Sequence, residues 1–151
     1  MKILRDGEIL KIHLGKREKH FLVELLSRFP CLPSTHRLSK TSKIPEASQR
    51  LLDEALSEQR NEKKRQVQGF LQDSRRFEPI ESGYRLSLSK TEAEWLLQVL
   101  NDIRVGSWVL MGAPEENLRA ESLNKESARH FWSMELAGYF QMEVLSALGM
   151  G

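Results

Sequence analysis

Residues 86–103 read L-S-L-S-K-T-E-A-E-W-L-L-Q-V-L-N-D-I, a stretch that combines a strand pattern, a helix start and a helix. Leu86 and Leu88 alternate with serines, which is the period-two pattern of a half-buried β-strand. Ser89 and Glu92 then match a capping box, in which each side chain accepts a hydrogen bond from the other residue's backbone N–H. Apolar residues follow at helical spacing. We therefore predict a strand that leads directly into a capped amphipathic helix.

The same pattern occurs a second time, nearer the N-terminus. Residues 12–29, I-H-L-G-K-R-E-K-H-F-L-V-E-L-L-S-R-F, align without gaps on residues 86–103. Five aligned pairs are identical: Leu14/Leu88, Lys16/Lys90, Glu18/Glu92, Leu22/Leu96 and Leu26/Leu100. We predict two units, each a hairpin followed by a helix, whose strands join in one small sheet covered by helices. Common ancestry and convergent patterning both account for this repeat.

Each unit is predicted to contain a β-hairpin. Asp6-Gly7 separates two apolar-containing runs, which is a typical signal for a two-residue turn with a positive φ. In the second hairpin, Pro79 places its strand at a sheet edge or shortens the strand, because proline donates no hydrogen bond to a ladder. We expect a small antiparallel sheet built from hairpins at about residues 2–14 and 76–88.

A long loop and a long helix separate the two units. Residues 30–45 contain three prolines, several hydroxyl residues and basic side chains, so they are predicted to form a loop. A helix then runs from about residue 45 to residue 72. Its stretch 57–66 contains no apolar residue, so this stretch lies in solvent or against a charged surface.

Two helices complete the predicted fold. The helix that begins after Ser89 ends at Gly112, which is followed by alanine and proline. A last helix covers about residues 127–148. The chain is therefore predicted to be a single domain, residues 1–151, with a helix-dominated α+β fold and about four helices.

Composition restricts the class of protein. The chain has 151 residues, of which 40% are hydrophobic and 29% are charged, as in an ordinary globular protein. Cys31 is the only cysteine, so a disulfide framework is excluded and a reducing, cytoplasmic location is predicted. The N-terminus is too charged for a signal peptide, and no segment has the length and apolarity of a membrane helix. We expect no association with a membrane.

Charge is unevenly distributed, although the net charge is only +2. Residues 1–43 hold ten basic and four acidic side chains, whereas residues 80–151 hold six basic and ten acidic ones. We interpret this asymmetry as attraction between the basic and the acidic parts of the same chain, together with charged faces that are exposed to solvent. The alternative is a nucleic-acid- or phosphate-binding protein that uses its basic N-terminal third, with Arg37, Lys40 and Lys43 as anion contacts. If that alternative holds, binding to the anionic partner weakens as the salt concentration rises and is lost when the three basic side chains are neutralised. The sequence contains no recognisable helix for reading nucleic-acid bases, so nucleic acid is not the expected partner.

Three polar residues, Asn101, Asp102 and Arg104, lie in the middle of the otherwise apolar helix that begins after Ser89. At 100° per residue they point in different directions, so they do not converge on one catalytic point. We predict a structural clamp, in which Asp102 and Arg104 pair with the last helix and Glu135 is the candidate partner of Arg104. The alternatives are a binding surface and a small enzyme or ligand-binding protein. An enzyme would require a solvent-accessible pocket that gathers Asp102, Arg104 and Glu135.

The last helix is apolar on nearly all sides. Such a helix lies in the centre of a core, or is shared between a core and a partner interface. Four aromatic residues support the second possibility: Phe131, Trp132, Tyr139 and Phe140. Burial in the core is the simpler interpretation, and a homodimer through this helix is the alternative.

No sequence motif indicates catalysis, a metal or a cofactor. The four histidines lie on separate predicted elements without metal-ligand spacing: His13, His20, His36 and His130. The glycine motifs of phosphate loops, dinucleotide sites and nucleophile elbows do not occur. We therefore assign no catalytic, cofactor-binding or metal-binding residue.

The C-terminal half contains two motifs, E-A-E-W-L-L-Q-V-L-N-D-I-R and, after a gap, Y-F-Q-M-E-V-L-S-A-L. With these motifs, about residues 84–148 resemble a bacterial family catalogued as domain of unknown function 2017. The family pattern has L-N-D-L-R in one helix and W-L-Q-x-x-L-V-x-A-L in the closing helix. The matching residues are Asn101, Asp102 and Arg104 in the first motif and Gln141, Ala147 and Leu148 in the second.

The resemblance implies a role rather than a reaction. The family has no established activity, and its members are often encoded beside a Clp protease adaptor, which implies a regulatory or proteolysis-linked role with a Clp adaptor or protease as partner. The resemblance leads us to expect a non-enzymatic protein-interaction or regulatory module. This expectation also rests on the missing catalytic motifs, the charge asymmetry and the aromatic last helix.

Overall fold

The computed structural model describes residues 1–30, 45–114 and 123–149. In chain order, these residues form β1 (Lys2–Asp6), β2 (Ile9–Leu14), α1 (Lys16–Ser27), α2 (Glu46–Gln72), β3 (Phe77–Ile80), β4 (Gly83–Ser89), α3 (Lys90–Leu110) and α4 (Lys125–Ala147). The fold is a helix-dominated α+β arrangement with a small antiparallel sheet, as predicted. α4 begins two residues earlier than predicted because the Asn124 side chain accepts a 2.7 Å hydrogen bond from the Ser127 N–H and caps the helix there.

The two predicted units meet in the middle of the sheet. The strand order is β1-β2-β4-β3, and every neighbouring pair is antiparallel. Ile12 pairs with Leu86 across the central β2–β4 ladder, and the gap-free alignment of the two units equates the same two residues. The ladder is therefore symmetric about this pair, so that a local twofold axis relates the strand–helix segment of one unit to that of the other.

Helices cover one face of the sheet and leave the other face open. The covered face carries strand residues that are at most 2% exposed: Leu10, Ile12, Leu14, Leu86 and Leu88. These side chains form one continuous core with buried residues from α1, α2, α3 and α4. The open face carries polar residues between them, among them Lys11, His13, Arg85 and Ser87. The sheet thus joins the units, and α1, α3 and α4 pack against it, whereas α2 packs mainly against α1 and contacts α3 through Phe70.

The first hairpin loop lies one residue further along the chain than predicted. Asp6 still pairs with Ile9, so the two loop residues are Gly7 and Glu8 rather than Asp6 and Gly7. Gly7 has the positive φ (+62°) that glycine adopts without strain. The second hairpin also has a two-residue loop, and its strand β3, which contains Pro79, is an edge strand as predicted.

Gly83, the first residue of β4, lies against the end of β2. Its φ is +148°, a value that side-chain-bearing residues rarely adopt. A Cβ at this position would overlap the carbonyl oxygen of Leu14 and lie 3.1 Å from the Cα of Gly15. Glycine is therefore required for β4 to enter the ladder at this register.

α2 is held in the core by its C-terminal half. Val67 and Phe70 are buried, and the Phe70 ring centroid lies 5.4 Å from that of Trp95 on α3. The leucines of the N-terminal half are exposed, most of all Leu51 at 68%. The stretch 57–66 is exposed or partly exposed along its whole length, in agreement with its lack of apolar residues.

Each unit has a glutamate that caps the start of its first helix. The Glu18 carboxylate accepts a 3.0 Å hydrogen bond from the Gly15 N–H, and the Glu92 carboxylate accepts one of the same length from the Ser89 N–H. Glu92 also forms an ion pair with Arg76, which directly precedes β3. Burial raises the pKa of Glu92, but the hydrogen bonds from Arg76 and the Ser89 backbone outweigh this effect and lower it below its usual value of 4.5. The cap thus ties the helix start to the start of its hairpin.

We expect Gly83→Ala to lower the free energy of unfolding by roughly 2–4 kcal/mol, because the new methyl group collides with the backbone of β2 and the φ is unfavourable. Gly69→Ala is the matched control, since Gly69 is an exposed position in α2 with open space around it. It should raise the free energy of unfolding by about 0.5–1 kcal/mol through helix propensity. Urea unfolding measures both, and equal stability of the two variants would contradict the argument.

We expect Glu92→Gln to weaken the dependence of stability on acidic pH. Because the folded state lowers the pKa of Glu92, its ionised form contributes stability above about pH 4.5, and this contribution is lost as the pH falls through the lowered pKa. The glutamine variant should be less stable than wild type at neutral pH, and the difference should shrink towards pH 3. Thermal melts across pH 3–7, with the exposed Glu94→Gln as control, measure this. A difference that is constant with pH would contradict the assignment.

Candidate interaction surface

α3 and α4 form the most extensive helix–helix contact of the described fold. Small residues lie on both sides of it: Gly106 and Ser107 of α3 are buried, as are Ser133 and Ala137 of α4. Such residues allow two helix backbones to approach closely. The outer sides of the same two helices remain uncovered and carry the candidate surface.

Within the described residues, Asp102 pairs with α2 and not with the last helix, contrary to the prediction. Its carboxylate lies 3.2 Å from the Nζ of Lys63, in the middle of the polar stretch of α2. The Asp102 side chain is 44% exposed and that of Lys63 is 28% exposed. The prediction was wrong because the angular position of Asp102 on α3 turns it towards α2, whereas α4 packs on another side. The pair is a partly solvated bridge rather than a buried clamp.

Arg104 and Glu135 face the same groove without forming the predicted ion pair. Within the described part of the chain, no salt bridge joins their side chains. The Arg104 stem instead packs beside Gly138 of α4, since a Cβ at Gly138 would lie 3.9 Å from the Arg104 Cδ. Asp102 is not among the residues that line the groove. The other two motif residues, Asn101 and Gln141, are half-buried.

The groove between α3 and α4 has a volume of about 610 Å³. It is lined by Arg104, Val105 and Trp108 of α3 and by Met134, Glu135, Gly138, Tyr139 and Met142 of α4. Its walls are therefore mainly aromatic and thioether side chains, with one cation and one carboxylate. Because Gly138 contributes no side chain, the α4 side is open at its centre.

The C-terminal turn of α3 holds the Trp108 ring in place. The indole N–H donates a 3.0 Å hydrogen bond to the carbonyl oxygen of Pro114. The chain reaches this position because Gly112 (φ +88°) and Ala113 (φ +51°) turn it back over the helix end. The Ala113 N–H in turn donates to the Trp108 carbonyl oxygen at 3.0 Å. The indole is thus satisfied within the chain, while its ring remains 41% exposed.

Tyr139 is held in a similar way from the opposite wall. Its hydroxyl donates a 3.3 Å hydrogen bond to Glu18, the capping glutamate of α1. Burial and the neighbouring carboxylate of Glu18 raise the pKa of Tyr139 above 10.0, so the hydroxyl stays protonated as a donor at neutral pH. The side chain is 42% exposed. Both aromatic rings therefore present apolar surface with their polar atoms already bonded.

α4 exposes a stripe opposite its buried side. Trp132, Tyr139 and Met142 are 56%, 42% and 73% exposed, and Glu135 lies between them. At 100° per residue the buried residues of α4 lie about 150° away on the helix: Ser133, Ala137, Phe140 and Val144. One side of the last helix therefore packs in the core and the other side is exposed. The sequence allowed this shared arrangement as an alternative to burial in the core alone.

We call these residues together the α3–α4 face: Val105, Trp108, Trp132, Tyr139 and Met142, with Arg104 and Glu135. If a large side chain has about 150–250 Å² of surface, their exposed fractions amount to roughly 500 Å² of apolar area. The largest apolar patch of a typical monomer covers about 300–600 Å², and such patches are often functional. Tryptophan, tyrosine, methionine and arginine are also the residues enriched in protein interfaces.

Several predicted positions lie elsewhere. The anion contacts Arg37, Lys40 and Lys43 are outside the described residues, as are Cys31 and His36. Among the residues that are described, no group of three His, Cys, Asp or Glu side chains is arranged to hold a metal ion. His13 instead accepts a 3.4 Å hydrogen bond from the Nε of Arg85 on the open sheet face. In the same described ranges, no helix has the length and apolarity to cross a membrane.

Three residues that define the face were not predicted from the sequence. Val105, Trp108 and Met142 received no role. Val105 and Trp108 were missed because the predictions for α3 away from its core side concerned only its polar residues. A signal was present in α4: Trp132, Glu135, Tyr139 and Met142 follow the three-four-three spacing of a second helical stripe.

Comparison of the chain with protein-family models, curated proteins and solved structures found no match. The resemblance to domain of unknown function 2017 therefore stays a prediction.

We expect Asp102→Asn to change the free energy of unfolding by less than about 1 kcal/mol, because a partly solvated ion pair contributes little. A double-mutant cycle with Lys63→Gln, followed by urea unfolding, measures the coupling between the two side chains. A loss above about 3 kcal/mol would instead indicate the buried clamp that the sequence predicted.

Proposed function

We propose that the protein is a non-enzymatic, cytoplasmic protein-interaction module and that its binding surface is the α3–α4 face. The observation that supports this most is the state of the two aromatic rings. Trp108 and Tyr139 both have their polar atoms hydrogen-bonded within the chain, while their apolar rings are half-exposed. Because the polar atoms of the two rings already have hydrogen-bond partners, they do not depend on water or a substrate for one, and the surface is suited to apolar contact.

The fixed rings favour binding energetically. Ordering a flexible side chain at an interface costs about 0.5–1.5 kcal/mol, and side chains that are already held in place avoid most of this loss. The two methionines of the groove, Met134 and Met142, adapt their shape to a partner. Arg104 and Glu135 add charges of opposite sign at the margin, where they select a partner more than they increase affinity.

The enzyme or ligand-binding alternative has less support. It required Asp102, Arg104 and Glu135 in one accessible pocket, and the groove contains only the last two. Asp102 is engaged with Lys63 on another side of α3.

A link to Clp-type proteolysis is part of the proposal through the family resemblance. Its motifs include Arg104, which lines the groove, and the half-buried Gln141 of α4. A regulatory module in such a system acts by binding proteins, which agrees with an uncovered aromatic face. The identity of the Clp partner rests on the resemblance alone.

The proposal is tested by comparing three proteins as baits in the native cell: wild type, Trp132→Ser/Met142→Ser and Leu51→Ser. Leu51 is the matched control because it is an exposed apolar residue on α2, outside the face. Captured proteins are identified by mass spectrometry, purified and titrated against each bait.

We expect at least one identified protein, whether a Clp component or a second copy of the chain, to bind wild type and Leu51→Ser equally. Its affinity for the double variant should fall tenfold or more. The same binding by all three baits, or no binding by the wild-type bait, would overturn the proposal. Retention of nucleic acid at low salt, lost when Arg37, Lys40 and Lys43 are neutralised, would favour the alternative based on the basic N-terminal third.

A further inference from the structure

The exposed stripe of α4 has the residue spacing of a helix that packs against another helix. It comprises Ala128, Trp132, Glu135, Tyr139, Met142 and Ser146, which are separated by four, three, four, three and four residues. All six are exposed or half-buried. Alternating steps of three and four place these residues on one side of the helix, as the contact residues of paired helices are placed. We call these six residues the α4 seam.

We infer that a second copy of this chain occupies the α4 seam, with the two α4 helices antiparallel across a twofold axis. This inference rests on the proposed function, since it names the occupant of the same face. The six seam residues are placed symmetrically about position 137, so their spacing is the same when the helix is read in either direction. An interface between identical surfaces related by a twofold axis requires this kind of self-complementarity.

The chemistry of the seam favours the antiparallel direction. In that arrangement Trp132 of one copy meets Met142 of the other, and a thioether beside an aromatic ring is a favourable contact. Glu135 meets Tyr139, and the small residues Ala128 and Ser146 meet at the two ends. A parallel arrangement would place the two Glu135 carboxylates opposite each other, which is destabilising.

Charge also balances at the centre of the antiparallel pair. Glu135 lies two residues from the axis position, and Arg104 packs beside Gly138, one residue from it. Two copies therefore bring two carboxylates and two guanidinium groups to the same region. Within the described residues of one chain these two groups form no salt bridge with each other, and in the antiparallel pair charges of opposite sign would face each other across the axis.

The available area suits a weak, reversible pair. Trp132, Tyr139 and Met142 are the large apolar residues of the seam, and their exposed fractions amount to roughly 340 Å² per copy if a large side chain has about 150–250 Å² of surface. Together with the polar groups of the seam, two copies would cover on the order of 1,000 Å², which is the range of weak, transient interfaces. We therefore expect a reversible dimer rather than an obligate one.

The test measures molar mass by sedimentation equilibrium for wild type, Trp132→Ser/Met142→Ser and Leu51→Ser. We expect wild type and Leu51→Ser to dimerise with the same dissociation constant and the seam variant to be at least tenfold weaker. Because the substituted side chains are exposed, circular dichroism and thermal melts should show an unchanged fold. A dimer that is insensitive to the seam variant would overturn the inference.

Orientation is tested with a single spin label at Ala128→Cys in a Cys31→Ser background. In the antiparallel pair the two labels are separated by 18 helical residues, or about 27 Å along the axis. A short distance would indicate parallel helices and overturn the inference. Wild-type protein that stays monomeric at 100 μM, the concentration chosen for the measurement, would also overturn the inference. In that case the capture experiment still tests the proposed function.

Discussion

The central β2–β4 ladder is the contact on which the remaining structure depends. It joins two units that are far apart in sequence, and each of its strands leads directly into a helix that covers the same face of the sheet. The ladder also supplies much of the core, since its inward leucines and isoleucine are almost fully buried. A shift of one residue would turn these side chains to the open face. The register, fixed at one end by Gly83, therefore determines which sides of α3 and α4 face the core and which remain exposed.

The local features of the fold were predictable because each depends on neighbouring residues. Alternation identified the strands, the Ser89–Glu92 pair identified the start of α3, and Pro79 identified an edge strand. The exact loop residues were less secure, because Asp6-Gly7 and Gly7-Glu8 both contain the glycine that the turn needs. The exposure of Leu51 was not predictable either. An apolar residue at helical spacing indicates a surface that can be covered, and says nothing of whether a part of the chain covers it.

The candidate site shows the same limit more clearly. A helical wheel gives the direction of Asp102 from the α3 axis, but it does not identify the neighbour in that direction. Lys63 lies 39 residues away in sequence, in a stretch whose polarity indicated only solvent or a charged surface. Trp108 and Tyr139 depend on tertiary hydrogen bonds to Pro114 and Glu18. The stripe on α4 was visible in the spacing, whereas its exposure became evident only once the buried side of the helix was located.

The hydrogen bond between Tyr139 and Glu18 connects the exposed face to the first strand–helix junction. Glu18 uses one carboxylate oxygen to cap α1 and the other to accept from Tyr139. Any contact that immobilises the Tyr139 ring also restricts the carboxylate that holds the first turn of α1 closed. If the α3–α4 face is occupied as proposed, the amide protons in that turn should exchange more slowly with solvent. The repeat unit whose helix cap is a glycine, Gly15, rather than a hydroxyl residue is the one that is hydrogen-bonded to this face.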